Sequence, residues 1–282
     1  MLDDERLDAA GVRLLLKRDD LIHPDLPGNK WRKLKYNLEA ARAAGAPRLL
    51  TFGGAYSNHI RAVAAAGALF GFETVGVIRG EEHDPLNPSL QFAVDRGMHL
   101  VYLDRQTYRR KTEPDVTDQL RAEFGDFYLV PEGGSNALAV RGCAELVGEI
   151  TEEFDVICCG VGTGGTLAGI AAGLAPGQQA IGFSSLKGGD FLSDDVAALQ
   201  RAESGKVTDN WAIETGYHFG GYAKTKPELA EFIEDFWLRH GLRLDWVYVA
   251  KMMYGIYDLA ARRKFPTGTR IVAVVTGPNF QT

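Results

Sequence analysis

The chain has 282 residues, 45% of them hydrophobic, which suits one large or two modest domains with a sizeable core. Thirty-one Lys and Arg against 37 Asp and Glu leave a net charge of −6, a balance with no general attraction to nucleic-acid phosphates or anionic lipid. The longest apolar run, residues 62–72, falls well short of the roughly 20 needed to span a bilayer, and residues 1–6 are too acidic for a secretion signal.

Only three cysteines occur, and Cys158 and Cys159 are adjacent inside an apolar run, so neither a disulfide framework nor a thiolate metal site is expected. These features predict a reduced, cytoplasmic protein with no metal, no membrane contact and no nucleic-acid partner. Glycine is in excess, 33 of 282 residues or about 12% against a usual ~7%. The glycines cluster after short apolar runs, a pattern of strand, tight turn and helix.

In chain order, the spacing predicts a strand at 13–18 and a helix from about 30 to 44, stopped by Gly45 and Pro47. A strand at 48–52 leads to a helix from Ser57 to about 70. Strand 74–78, helix 89–96 and strand 99–103 follow. A polar connection at 104–115 enters a helix ending near Phe124. Strand 128–130, helix 137–151, strand 155–159, helix 166–174 and strand 180–184 come next. Amphipathic helices at 227–240 and 252–263 precede a last apolar strand at 271–275. Apolar strands alternating with helices predict parallel sheets covered on both faces, an α/β fold. In such sheets ligands bind where strands end and helices begin, so the glycine clusters are the places to look for chemistry.

Residues 155–169 read as strand, glycine-rich turn and helix start, where backbone N–H groups converge on an anion. Gly160, Gly162 and Gly165 satisfy the G-x-G-x-x-G spacing, so a nicotinamide or flavin dinucleotide is one reading. It lacks support, because the next strand ends without the acid that would hold the ribose hydroxyls. A phosphate carried by something other than adenosine fits better. A turn that is only structural is the plain alternative.

Lys30 opens a helix after Gly28 and Asn29. Desolvation or neighbouring cations could activate its amine for imine chemistry, or the run Lys30, Arg32, Lys33, Lys35 could be a solvated basic face. Gly53-Gly54-Ala55-Tyr56-Ser57-Asn58-His59 opens another helix and offers a hydroxyl, a carboxamide and exposed N–H groups, which suits a carboxylate. Alternatively Ser57 only caps the helix and its neighbours lie on the surface.

Taken together, Gly28-Asn29-Lys30-x-Arg32-Lys33-Leu34, Gly53-Gly54-x-x-Ser57-Asn58-His59 and Gly162-Thr163-Gly164-Gly165-Thr166 resemble the pyridoxal-phosphate enzymes of the 1-aminocyclopropane-1-carboxylate deaminase and D-cysteine desulfhydrase family. The resemblance runs over nearly the whole chain. It implies the tryptophan-synthase-β-like architecture (fold type II): two domains with parallel-rich sheets and the active site in the cleft between them. The large cofactor domain would comprise 1–39 and 141–282, and the small domain 40–140. Lys30 would form the internal aldimine and move the substrate Cα proton. Asn58 would contact the cofactor's phenolic oxygen, and Gly162, Thr163, Gly164, Gly165 and Thr166 its phosphate. Ser57, with Asn58 and His59, would hold the substrate carboxylate. Tyr222 and Tyr248 match positions of active-site tyrosines, although both could be packing aromatics. The family also suggests a homodimer acting on a small amino acid.

Two positions depart from the deaminase pattern. Val249 stands where the deaminases carry a Glu against the pyridine nitrogen and the desulfhydrases a Thr or Ser. Thr276 stands where the deaminases carry a Leu, which points to the desulfhydrase side, and its hydroxyl could meet that nitrogen. Pro278 interrupts the double glycine that follows in desulfhydrases. The resemblance therefore implies β-elimination from a D-amino acid such as D-cysteine, to a 2-oxo acid, ammonia and sulfide. Ring opening of the cyclopropane amino acid and a cofactor-binding homologue with little turnover are the alternatives.

Overall fold

A computed structural model describes residues 1–82 and 84–277. The chain separates into two compact units, one of residues 1–29 with 135–277 and one of residues 30–134.

Among the described residues nine strands run in chain order as β1 (Arg13–Arg18), β2 (Arg48–Gly53), β3 (Glu73–Arg79), β4 (Met98–Leu103), β5 (Tyr128–Val130), β6 (Val156–Val161), β7 (Gln179–Ser184), β8 (Trp211–Glu214) and β9 (Arg270–Val275). The first unit holds a five-stranded sheet of order β1-β9-β6-β7-β8, and the second a four-stranded sheet of order β4-β3-β2-β5. Every pairing within both sheets is parallel.

Side chains alternate across a strand, so a sheet covered on both faces needs apolar residues at every position. The first unit shows this directly. Cys158, Ile271, Ala273 and Val275 enter one apolar cluster with Met252, Ile256 and Phe236. Their strand neighbours Ile157, Cys159, Val272 and Val274 enter another with Leu167 and Ile170. In the second unit Leu50, Phe52, Val75 and Val77 pack with Tyr108, Val116 and Leu120.

Helices begin where side chains satisfy their first N–H groups. Ser57 accepts from the backbone N–H of His59 and Ile60 and starts the Asn58–Phe70 helix. Asn87 accepts from Ser89 and Leu90 N–H, with Pro88 in the first turn. The polar connection at 104–115 contains a short helix, Arg105–Arg109, because Asp104 accepts from Gln106 and Thr107 N–H. The last helix begins at Val249, three residues earlier than the apolar period suggests. The Asp245 carboxylate draws the start back by accepting from Val247, Tyr248 and Val249 N–H. Among the elements not expected are the α-helices Glu5–Ala10 and Leu192–Ser204 and strand β8.

Among the described residues no helix is long and apolar enough to cross a membrane. Nor does any cluster of three or more His, Cys, Asp or Glu there have the arrangement of a metal site.

Candidate active site

In the first unit, β6 ends at Val161 and the Gly165–Gly173 helix begins four residues later. Gly164 caps that helix at φ +78°, with no side chain bonded to the helix N-terminus. The opening N–H groups are thus left for an anion, beside the positive end of the helix dipole. A helix neighbour fixes the axis: a β-carbon on Gly169 would run into Cys143 and the Val140 carbonyl, so only glycine allows the Ala137–Gly148 helix so close. The Thr166 hydroxyl, almost fully buried, accepts from the Asn29 carboxamide at 3.2 Å. Thr163 and Ser135 share a hydroxyl–hydroxyl hydrogen bond of 2.6 Å.

The floor of this turn is aromatic. A β-carbon on Gly160 would lie 3.0 Å from Tyr248 Cβ, and one on Gly162 3.0 Å from Tyr248 Oη. Tyr222 meets the Tyr248 ring edge-on, with centroids 6.0 Å apart. The structure therefore brings Gly162, Tyr248 and Tyr222 together, with Thr163 and Thr166 on the same turn and helix start. A phosphate fits here on three counts: uncapped N–H groups, a threonine hydroxyl, and glycines that admit the tyrosine.

Thr276 follows β9, and its hydroxyl has no hydrogen-bond partner among the described residues. Its carbonyl oxygen packs against Gly28, where a β-carbon would stand at only 2.5 Å. Gly28 and Asn29 thus tie the chain to this unit immediately before Lys30. Neither belonged to the expected set of contact residues. Their place beside Lys30 in the motif was the available signal. Val249 is buried at the start of its helix inside the apolar cluster, so no side-chain acceptor stands at that position. Pro278, the third departure in sequence, lies outside the described residues.

In the second unit, Lys30 lies half-buried in the first turn of the Gly28–Ala43 helix. The basic run is not a solvated face. Arg32 and Lys33 are each only 3% exposed, and Lys33 Nζ donates to the Gly133 carbonyl at 3.1 Å. Ser57 and Asn58 stand at the mouth of their helix, half-buried, and the Asn58 carboxamide has no hydrogen-bond partner among the described residues.

His59 differs from its neighbours. Its ring is buried, and Nε2 lies 2.8 Å from the Thr51 hydroxyl, which itself donates to the Val130 carbonyl. That hydroxyl therefore accepts, and Nε2 carries the proton. Burial foremost, then the charges of Lys30 and Lys33, hold the His59 pKa well below 6.5, with the Pro131 carbonyl opposing. The ring is neutral, so it offers no positive charge to a carboxylate. It ties the start of the Asn58–Phe70 helix to Thr51 of β2.

The likenesses to known proteins follow the same path. The family described as pyridoxal-phosphate dependent enzyme matches residues 2–277. A Pyrococcus horikoshii protein, provisionally named 1-aminocyclopropane-1-carboxylate deaminase, is 32% identical over 95% of this chain and 85% of its own length. The D-cysteine desulfhydrase of Salmonella newport is 29% identical over 96% of this chain and 88% of its own. The crystal structure of an ACC deaminase homologue superposes with a TM-score of 0.84 at 29% identity, covering 96% of this chain and 86% of that one. With a motif match that spans nearly the whole chain and a glycine turn built to take a phosphate, this protein belongs to the family of pyridoxal-phosphate dependent enzymes.

Proposed function

We propose that this enzyme eliminates a β leaving group from a D-amino acid, with D-cysteine as the type substrate. The products are a 2-oxo acid, ammonia and sulfide, with one water consumed. When bound, pyridoxal phosphate supplies an electron sink for negative charge at the substrate Cα. Lys30 attaches the cofactor and moves the Cα proton. The N–H groups of Gly164, Gly165 and Thr166, with the hydroxyls of Thr163 and Thr166, hold the phosphate. Asn58 would direct its carboxamide to the phenolic oxygen, which accounts for a half-buried amide with no hydrogen-bond partner among the described residues. Ser57 and the adjoining backbone N–H groups orient the substrate carboxylate, with His59 bracing the turn. Tyr222 and Tyr248 line the substrate side.

Val249 is the observation that carries this reading. An apolar side chain there would leave the pyridine nitrogen of a bound cofactor without a carboxylate to keep it protonated, and the Thr276 hydroxyl is the group proposed to meet it. A neutral ring is a weaker electron sink. It suffices when a thiolate departs from Cβ and serves strained-ring opening poorly. The test is a paired assay with pyruvate and sulfide from D-cysteine against 2-oxobutanoate from the cyclopropane amino acid. Turnover of D-cysteine at ten or more times the other rate is expected, and the reverse order would overturn the assignment.

Ring opening is the second reading, supported by the name carried by the Pyrococcus relative. Assembly as a homodimer and residence in the cytoplasm belong to the same proposal. Size-exclusion chromatography with light scattering measures the first, and cell fractionation the second.

A further inference from the structure

Lys251 is a lysine where burial is unexpected. It sits in the first turn of the Val249–Ala261 helix and is 1% exposed. No salt-bridge partner stands within reach of its ammonium among the described residues. Instead Nζ donates to two backbone carbonyls, those of His218 and Gly221, each at 2.8 Å. Burial pulls its pKa down to about 8, with the charge of Asp245 working the other way. A charged group buried without an ion pair is costly, and Lys251 keeps that cost to hold one loop.

The loop is unusual in its own right. Phe219, Gly220, Gly221 and Ala223 have φ of +52°, +99°, +121° and +49°. Two of these are non-glycine residues in a region that L side chains seldom adopt, so the surroundings must impose the path. Three contacts do so besides Lys251. Gly220 N–H donates to His218 Nδ1 at 2.9 Å, Gly221 N–H to the His218 carbonyl at 3.0 Å, and the Phe219 ring stands edge-on to Tyr254. Tyr222 lies in the middle of this stretch, partly exposed and against Tyr248.

We propose that Lys251 is a positioning residue: its buried ammonium holds residues 218–221 in a left-handed path that sets Tyr222 against Tyr248 on the substrate side of the site. The proposal rests on the reading above for the role of Tyr222. Its structural half stands independently. Lys251 touches neither cofactor nor substrate in this account and acts through the loop.

The experiment compares wild type, Lys251→Met, Tyr222→Ala and the double variant, all loaded with pyridoxal phosphate. Amide hydrogen exchange over residues 218–224 is measured alongside D-cysteine turnover. Lys251→Met should speed exchange in that segment tenfold or more, with β6 and β9 unchanged, and lower kcat tenfold or more. In the Tyr222→Ala background the same substitution should cost less than threefold, because the residue being positioned is gone. Unchanged exchange in the segment, or rate losses that multiply independently, would overturn the proposal. Should the Met variant fail to fold, Lys251→Gln keeps an N–H donor without the charge, and intermediate exchange is expected of it. If wild type does not turn over D-cysteine, the substrate reading fails while the exchange comparison still decides the clamp.

Discussion

Gly28 and Thr276 are packed backbone to backbone, so closely that a β-carbon on Gly28 would stand 2.5 Å from the Thr276 carbonyl oxygen. Gly28 also has φ +43°, a region that favours glycine. Two residues later comes Lys30. The end of β9 and the chain entering Lys30, the proposed attachment residue, are thus linked through one position that tolerates no side chain. Gly28→Ala should cost about 1–2 kcal/mol in backbone strain alone and displace the chain entering Lys30. Turnover at least tenfold lower, with the circular dichroism of a folded protein, is the expected result. Wild-type turnover in this variant would show that the contact does not set Lys30.

The Gly162 and Tyr248 pair makes a similar argument for the phosphate turn. A β-carbon on Gly162 would lie 3.0 Å from Tyr248 Oη and 3.1 Å from its Cε1, so the ring must give way. Gly162→Ala should weaken cofactor binding about tenfold, or about 1.4 kcal/mol. Titration of the apoprotein with pyridoxal phosphate measures it, and an unchanged Kd would remove Gly162 from the cradle.

The neutral, buried His59 makes stability depend on pH in a defined direction. Its folded pKa lies well below 6.5, so below pH 6.5 the unfolded chain takes up a proton that the folded chain does not. Stability is therefore lost as pH falls from 6.5 towards the depressed value, by up to about 1.4 kcal/mol per pH unit. Urea unfolding at pH 7 and 5.5 should show this loss in wild type and a smaller one in His59→Gln. Equal losses in the two proteins would contradict the assignment.

Asp4 joins the N-terminal helix to the body of its unit. It accepts from Arg6 Nε and Nη2 at 2.9 and 2.6 Å, from Tyr257 Oη at 2.8 Å and from His240 Nε2 at 2.9 Å. Burial pushes its pKa up, but the hydrogen bonds, Arg6 first, outweigh burial and hold the carboxyl well below the usual range. This contribution is present above about pH 4 and is lost as the solution is acidified below it. Asp4→Asn should destabilise the protein by about 2–4 kcal/mol in denaturant at pH 7 and leave the Kd for pyridoxal phosphate unchanged. An unaltered unfolding midpoint would show that the network contributes nothing.

The strands were legible in sequence because both faces of each sheet are covered, so apolar runs bracketed by glycine mark them to within a residue or two. Strand β8 escaped because it lies at a sheet edge with its four residues partly open to solvent. The Leu192–Ser204 helix escaped for another reason. Its inward stripe is Leu192, Val196 and Gln200, and the last is a buried amide bonded to the Ala168 carbonyl and to Thr208. A polar residue in that register reads as surface. The glycine turn at 160–165 and the entry to Lys30 stood out in sequence because close backbone approach there leaves only one residue type. Lys251 and His59 carried no such mark. Their burial is decided by residues on other elements, at 218–221 for one and at Thr51 and Val130 for the other.

Lys30 is proposed to attach pyridoxal phosphate and to act on a D-amino acid. The decisive measurement is the visible absorption spectrum of the cofactor-loaded protein, before and after D-cysteine, with L-cysteine and Lys30→Ala as controls. Wild type should show the band of lysine-bound cofactor, D-cysteine should change it while releasing sulfide, L-cysteine should not, and Lys30→Ala should lack the band. A Lys30→Ala variant that keeps the band and still turns over D-cysteine would contradict the account.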